Sequence, residues 1–196
     1  MFDKTIEQLL GSRARVRILR LFFRNSAMCV TLREVSRRTK LPSRVVRREV
    51  TLLTHIRFLS KKTVRDEKKR KRECFAAYTG FPLWEELRAL ALKFSPDSFS
   101  RITSEIRKLG GAQLAVLGGM FINEDNARAD ILIVAKKPSP RKLKSFIGSI
   151  EAESGKDINC VVISPGEFKY RYDLFDHVVR DMLASQNIRL IDKLGI

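Results

Sequence analysis

Pro42 is the residue that most limits how this chain can fold. Its ring fixes φ and removes a backbone donor, and it pushes the preceding Leu41 towards an extended shape. The segment Lys40-Leu41-Pro42 is therefore expected to break any helix that reaches it. On both sides of the break the apolar spacing is helical. Leu32 and Val35 fit the buried face of a short helix over Leu32–Thr39. Thr31 stands where it can cap that helix, with Glu34 three residues on in capping-box position. After the break, Ser43 is expected to cap a further helix, in which Val46, Val50 and Leu53 recur at i, i+4 and i+7. Arg44, Arg47, Arg48 and Thr51 then fall mostly on its opposite, open face.

The flanking segments extend this pattern. Phe2, Ile6, Leu9 and Leu10 have helical spacing. Gly11-Ser12 interrupts, and Ser12 is a good cap for a helix over Arg13–Arg24. That helix turns Val16, Leu19 and Phe23 to one face and Arg13, Arg17, Arg20 and Arg24 to the other. Those four arginines read equally well as phosphate contacts or as a solvated face. Met28–Thr31 is short and β-like. Phe58-Leu59-Ser60 starts a strand that runs through Arg65, and Glu73–Tyr78 is its return. Asp66–Arg72 forms the tip between them, with five consecutive cations: Lys68, Lys69, Arg70, Lys71 and Arg72. Such a run repels itself unless a polyanion is near.

The distribution of charge separates the chain into two parts. The net charge is +17 over 196 residues. Residues 1–82 carry 22 Lys/Arg against 7 Asp/Glu, a net +15, and residues 83–196 carry 17 against 15, a net +2. A strongly basic part joined to a nearly neutral part suggests a polyanion-binding module and a module with another task. Phosphate backbones are the expected polyanion, because Lys/Arg contacts release condensed counterions. No apolar run approaches the roughly 20 residues of a membrane helix, and Met1–Leu10 contains acidic residues in place of a signal-type apolar core. A cytoplasmic protein without membrane contact is expected. Cys29, Cys74 and Cys160 are far apart, odd in number and without metal-ligand spacing. They are read as reduced, partly buried side chains, with no disulfide framework and no metal.

Thr79-Gly-Phe-Pro82 marks a boundary. Leu83–Phe94 has the pattern of a strong helix with Leu83, Leu87, Leu90 and Phe94 along one face and Trp84, Ala91 and Leu92 widening it, suited to packing domains together or to pairing across a dimer. Phe99, Ile102, Ile106 and Leu109 suggest another helix before Gly110-Gly111. Beyond it, strands are expected over Gln113–Gly119, Ala129–Ala135, Asp157–Ser164 and Asn187–Asp192. Helices are expected over Pro138 to about Glu153 and Leu174–Ser185, with Pro165-Gly-Glu-Phe168 leading into the latter. Alternating strands and helices indicate an α/β domain with a mixed sheet. The fold class expected for the whole chain is α+β in two domains. Residues 1–82 form the basic domain, 83–110 linker helices, and 111–196 the α/β domain.

Helix, turn, helix and basic hairpin together resemble a winged helix-turn-helix. In that family the second helix of the pair enters the major groove and the wing lies on the backbone or in the minor groove. The resemblance implies DNA-binding roles for Ser43, Arg44, Arg47, Arg48, Thr51, Lys68, Lys69, Arg70, Lys71 and Arg72. The second part resembles the minimal nucleotidyltransferase fold related to the polymerase-β superfamily. There a strand ends in Gly-Ser, a loop follows, and the next strand begins Asp-x-Asp. A third acid comes from a later strand, and the acids bind two Mg²⁺ ions. Leu117-Gly-Gly through Ala129-Asp-Ile-Leu-Ile-Val lines up with this order.

The departures from that pattern decide the expected function. Gly119 stands in place of the serine, and Asp130 matches the first acid. Leu132 occupies the second position, and the third acid falls near Asn159, with Asp157 two residues earlier. Two close metals need several anionic oxygens. The expectation is a pseudoenzyme with no catalytic residue, no metal and no cofactor. Gly118, Gly119 and Asp130 would be the remains of a nucleotide site, or simply a tight turn. The chain as a whole is similar to regulators that fuse a winged helix to a nucleotidyltransferase-like domain. It is expected to be a transcriptional regulator that binds double-stranded DNA. Its second domain would serve assembly, partner binding or ligand sensing, with a homodimer and a small protein partner both open. The alternative is an active nucleotidyltransferase whose basic domain holds a nucleic-acid or protein substrate.

Overall fold

The computed structural model describes residues 2–65, 70–93, 96–122, 124 and 127–196. The fold is α+β, with helices, a two-stranded ribbon and a four-stranded mixed sheet. Two compact units divide the chain: Met1–Lys93 with Ser149–Lys156, and Phe94–Gly148 with Asp157–Ile196.

The first unit contains α1 (Phe2–Leu9), α2 (Arg13–Arg24), α3 (Leu32–Thr39) and α4 (Ser43–His55), followed by β1 (Leu59–Arg65), β2 (Lys71–Ala77) and α5 (Trp84–Leu92). Local chemistry sets its helix ends. Ser12 Oγ accepts from the Arg15 N–H at 3.0 Å, and Thr31 Oγ1 accepts from the Glu34 N–H at 3.3 Å. Lys40 ends α3 in the left-handed region at φ 54°, a common helix stop. The break at Pro42 holds, but Ser43 is not a cap. Pro42 itself occupies the cap position with ψ 139° and offers no side-chain acceptor, so Ser43 is the first helical residue. Val46, Val50 and Leu53 are buried as the spacing predicts.

An aromatic cluster fixes the register of α5. Phe23 meets Phe58 and Trp84 edge-on, with ring centroids 5.2 and 4.7 Å apart, and Phe58 stacks on Trp84 at 5.5 Å. Of the expected face Leu83, Leu87, Leu90, Leu83 is therefore corrected, while Leu87 packs against the core. Leu83 is 66% exposed at φ 61°, while Trp84 and Ala91 are buried. The left-handed Leu83 starts the helix one residue late and turns Trp84 into the core. Phe94, the last residue assigned to that face, lies outside the described residues.

The ribbon pairs antiparallel from Leu59↔Ala77 to Arg65↔Lys71. Lys71 and Arg72, expected in the tip, are instead the first residues of β2. The expected strand Met28–Thr31 reduces to a single antiparallel bridge, Val30↔Phe75, made by two hydrogen bonds of 2.8 Å. Beside that bridge the reading of three reduced cysteines is overturned for two of them, while Cys160 is a free, partly buried thiol. Cys29 and Cys74 form a disulfide across 45 residues of sequence, with Cα atoms 5.4 Å apart. The cause is tertiary: the bridge brings the two cysteines together, and each immediately precedes a bridged residue.

Both readings of the four arginines on α2 are also corrected, because protein groups take most of that face. Arg20 is buried and donates to the Ala91 carbonyl at 2.5 Å and the Glu153 carbonyl at 3.3 Å. Arg13 and Arg17 pair with the Glu153 carboxylate at 2.5 and 3.0 Å, and Arg17 also donates to the Thr39 carbonyl. Gly155 explains how Glu153 comes so near. At φ 77° its Cα faces the backbone of Arg20 and Leu21, where a Cβ would sit about 2.5 to 2.6 Å from main-chain atoms.

The second unit contains α6 (Pro96–Leu109), β3 (Ala112–Leu117), β4 (Ile131–Ala135), most of α7 (Pro140–Ser154), β5 (Cys160–Ile163), α8 (Pro165–Asp173), α9 (His177–Ala184) and β6 (Ile188–Asp192). The sheet order is β5-β4-β3-β6. The β4–β5 pair is parallel and the other two are antiparallel. Every residue of β4 is buried, as its unbroken apolar run requires. Ile102, Ile106 and Leu109 are the buried face of α6. One expected helix becomes two. Ser164 caps α8, so Pro165-Gly-Glu-Phe168 is its first turn rather than a leader. Asp176 caps α9 by accepting from the Val178 and Val179 N–H groups. Among the described residues no helix is long and apolar enough to cross a membrane.

Candidate nucleic-acid interface

The break at Pro42 leaves α4 with a buried stripe and an open face. Ser43, Arg44, Arg47, Arg48 and Thr51 are all exposed. Among the described residues no carboxylate pairs with Arg44 or Arg47. Arg48 differs. Its Nε and Nη2 donate to Glu49 Oε1 at 3.2 and 2.8 Å, while Arg15 Nε on α2 donates to Glu49 Oε2 at 2.9 Å. The Glu49 side chain is only 2% exposed. Burial alone would raise its pKa, but the hydrogen bonds from Arg48 and Arg15 outweigh burial and hold it below the usual carboxylate value. The open face thus offers two unpaired guanidiniums near the start of α4 and a third restrained by a buried acid.

On α3, Glu34 accepts from Arg37 at 2.9 and 2.5 Å and from Arg38 at 2.9 Å. The hydrogen bond from Arg37, reinforced by Arg38, lowers its pKa to about 2 despite an opposing effect of burial. These cations are neutralised within their own helix.

The ribbon concentrates positive charge away from the core. Lys61 through Arg65 on β1, Arg70 just before β2, and Lys71 through Glu73 on β2 are exposed. Lys61 pairs with Glu73 at 2.5 Å. Arg65 lies directly across from Lys71. Like charges opposite one another destabilise a strand pair, and a polyanion laid along the ribbon would relieve that repulsion. Lys68 and Lys69 lie outside the described residues.

In the second unit Gly118, Gly119 and Asp130 come together, but their polar groups are turned on one another. Asp130 is buried just before β4. Its Oδ1 accepts from the Met120 N–H at 2.9 Å and its Oδ2 from the Asn159 N–H at 3.0 Å. The Gly118 N–H donates to the Asp130 carbonyl, and the Phe121 N–H to the Gly118 carbonyl. Gly119 has φ 48°, and a Cβ there would collide with Asp130 Oδ1. The cleft beside this turn, lined by Gly118, Gly119, Glu124, Arg128, Asp181 and Met182, holds about 140 Å³. Ligand sites usually occupy roughly 300 Å³ or more.

The residues do not fit the two-metal centre of the resembled family. Leu132 is fully buried in the apolar core with Leu114, Val134 and Ile163. Asn159 is exposed, and its amide donates to the Arg128 carbonyl. Asp157 is exposed on the approach to β5. Among the described residues no cluster of three or more His, Cys, Asp or Glu side chains could hold a metal ion. Nearby Cys160 carries a thiol pushed up to about 12 by burial, with the Asp130 charge adding to the effect. It is suited to packing rather than nucleophilic chemistry.

Sequence reasoning missed Glu49 and the disulfide. Glu49 had a usable signal: an acid beside the buried Val50, in a helix otherwise rich in arginine. No family model, no curated protein and no solved structure matches this chain at a significant level.

Proposed function

We propose that this chain is a DNA-binding transcriptional regulator of the winged helix-turn-helix type. In this reading α4 enters the major groove, and Arg44 and Arg47 reach guanine O6 and N7. Ser43 and Thr51 add polar contacts, and Arg48 contacts phosphate while held by Glu49. The ribbon, with Arg70, Lys71 and Arg72 and the tip residues Lys68 and Lys69, lies on the backbone or in the minor groove. The observation that carries this reading is the exposure of Arg44 and Arg47 without a carboxylate partner, on the helix that Pro42 delimits. Elsewhere in this unit Arg13, Arg17 and Arg20 of α2 and Arg37 and Arg38 of α3 are engaged by protein groups, whereas Arg44 and Arg47 stand open to an external anion.

The second domain is read as nucleotidyltransferase-like and without transferase chemistry, serving assembly, partner binding or ligand sensing. The Asp130 turn supports the loss of chemistry, since both carboxylate oxygens already accept hydrogen bonds. Tyr170, Leu174 and Phe175, all exposed within six residues at the end of α8, support a role in binding a partner. Selection from a pool of random duplexes with the purified chain tests the proposal. An enriched motif is expected, and recovery of only unselected sequence would count against base reading by α4.

A further inference from the structure

Cys29 and Cys74 have no part in the function proposed above, yet they sit where the ribbon leaves the core. From the tip along β2, Lys71, Arg72 and Glu73 are exposed and Cys74 is the first buried residue. On β1 every residue from Lys61 to Arg65 is exposed. A two-stranded ribbon without a core of its own is marginal in water, so its orientation depends on what holds its base. At that base the disulfide ties β2 to the segment two residues before Thr31, the cap of α3. Beside it lies the Val30↔Phe75 bridge, and Leu59 and Phe75 pack in the core.

We infer that the Cys29–Cys74 disulfide is a redox clamp: reduction by a dithiol loosens the ribbon relative to the α3–α4 pair and weakens the binding of duplex DNA. This inference rests on the DNA-binding reading of the first unit. The chemistry is ordinary exchange. Cys29 is exposed and Cys74 fully buried, so a dithiol's thiolate attacks Cys29 Sγ. The S–S bond breaks, its electron pair leaves on Cys74 Sγ, and that sulfur takes a proton. The dithiol's second sulfur then displaces Cys29 as a thiol and closes a cyclic disulfide. Two electrons pass from the dithiol to the protein. A low-molecular-weight disulfide such as oxidised glutathione reverses the sequence. Oxidised, the ribbon is already oriented for the duplex; reduced, it must be ordered on binding, and that entropy lowers affinity.

The test uses the full chain and a duplex from the random-pool selection, at one salt concentration. Affinity is measured by fluorescence anisotropy for the oxidised protein, after dithiothreitol, and after reoxidation with oxidised glutathione, with free thiols counted in each state. Reduction is expected to weaken binding by about tenfold, reversibly, as a loss of preorganisation. Cys29→Ser, at an exposed position, is expected to bind like the reduced protein with or without reductant. Tryptic cleavage in the ribbon is expected to speed up on reduction, a readout that needs no DNA. Equal affinity and equal cleavage in both states, with the thiols shown to be released, would overturn the clamp and leave the DNA reading standing. Absence of duplex binding in either state would overturn the DNA reading and the clamp's effect on it together.

Discussion

The Asp130 carboxylate receives the Met120 N–H at 2.9 Å, and the same group receives the Asn159 N–H through its other oxygen at 3.0 Å. Asp130 is thus a strut between the Gly118-Gly119 turn and the approach to β5. Asp130→Ala leaves two backbone donors without this acceptor. Hydrogen bonds to charged groups contribute about 1.5–3 kcal/mol each, so a loss of about 3 kcal/mol is expected, measured by urea denaturation. A variant as stable as the wild type would refute the strut.

Introducing the residues of the nucleotidyltransferase pattern that this domain resembles is not expected to create that chemistry. Leu132→Asp places a carboxylate in a fully buried apolar position. Burying an unpaired charge is among the most destabilising changes, and a loss of about 4 kcal/mol or more is expected in thermal unfolding. Gly119→Ser meets Asp130 Oδ1 at a left-handed position and is also expected to destabilise. Label transfer from a nucleoside triphosphate by either variant, or by the wild type with Mg²⁺, would revive the enzymatic alternative.

Gly155 gives a prediction of a different kind. Its φ of 77° and the main chain of Arg20 and Leu21 both exclude a side chain. Gly155→Ala is expected to cost about 3 kcal/mol, within the range for strained substitutions against rigid backbone. Denaturant midpoints compared with those of Gly110→Ala, which is also left-handed at φ 89° but where a Cβ meets nothing within 4 Å, isolate the backbone collision from the cost of the left-handed conformation.

These positions also show what the sequence could and could not disclose. Pro42, the Thr31 cap and the Val46-Val50-Leu53 stripe were legible because their causes lie within a turn or two of the residue itself. The fate of Arg20 was not, because its acceptor, the Ala91 carbonyl, is 71 residues away. Glu49 depends on Arg15, 34 residues earlier, and Cys29 on Cys74, 45 residues later. Leu83 misled for a local reason. A left-handed non-glycine residue is uncommon, and it turned Leu83 out to solvent and left Trp84 to begin the buried face of α5. The strands of the mixed sheet could be placed from their apolar runs, but the inward turn of the Asp130 carboxylate required the fold.

Acid is expected to weaken the first unit through Glu34 and Glu49. Both have folded-state pKa values below the ordinary 4.5, about 2 for Glu34 because of Arg37 and Arg38. A depressed carboxylate stabilises fully above its unfolded value and loses that contribution as pH falls through the folded value. The denaturation midpoint should therefore fall as pH drops from about 4.5 towards 2, and Glu34→Gln should flatten part of that slope. At neutral pH, Glu49→Ala should cost about 2–3 kcal/mol, less than for a fully buried pair because Arg15 is partly exposed. A pH-independent midpoint over this interval would contradict the assignment.

The central claim is that Arg44 and Arg47 read bases while the ribbon holds the backbone. The most direct test is equilibrium binding of a selected duplex and a scrambled one across a salt series, for the wild type, Arg44→Ala, Arg47→Ala and a variant neutralised at Lys68–Arg72. Each arginine variant should lose about 1–3 kcal/mol on the selected duplex and little on the scrambled one. The neutralised ribbon should weaken binding to both and flatten the salt dependence. Unchanged affinity for both duplexes in all three variants at moderate salt would contradict the claim.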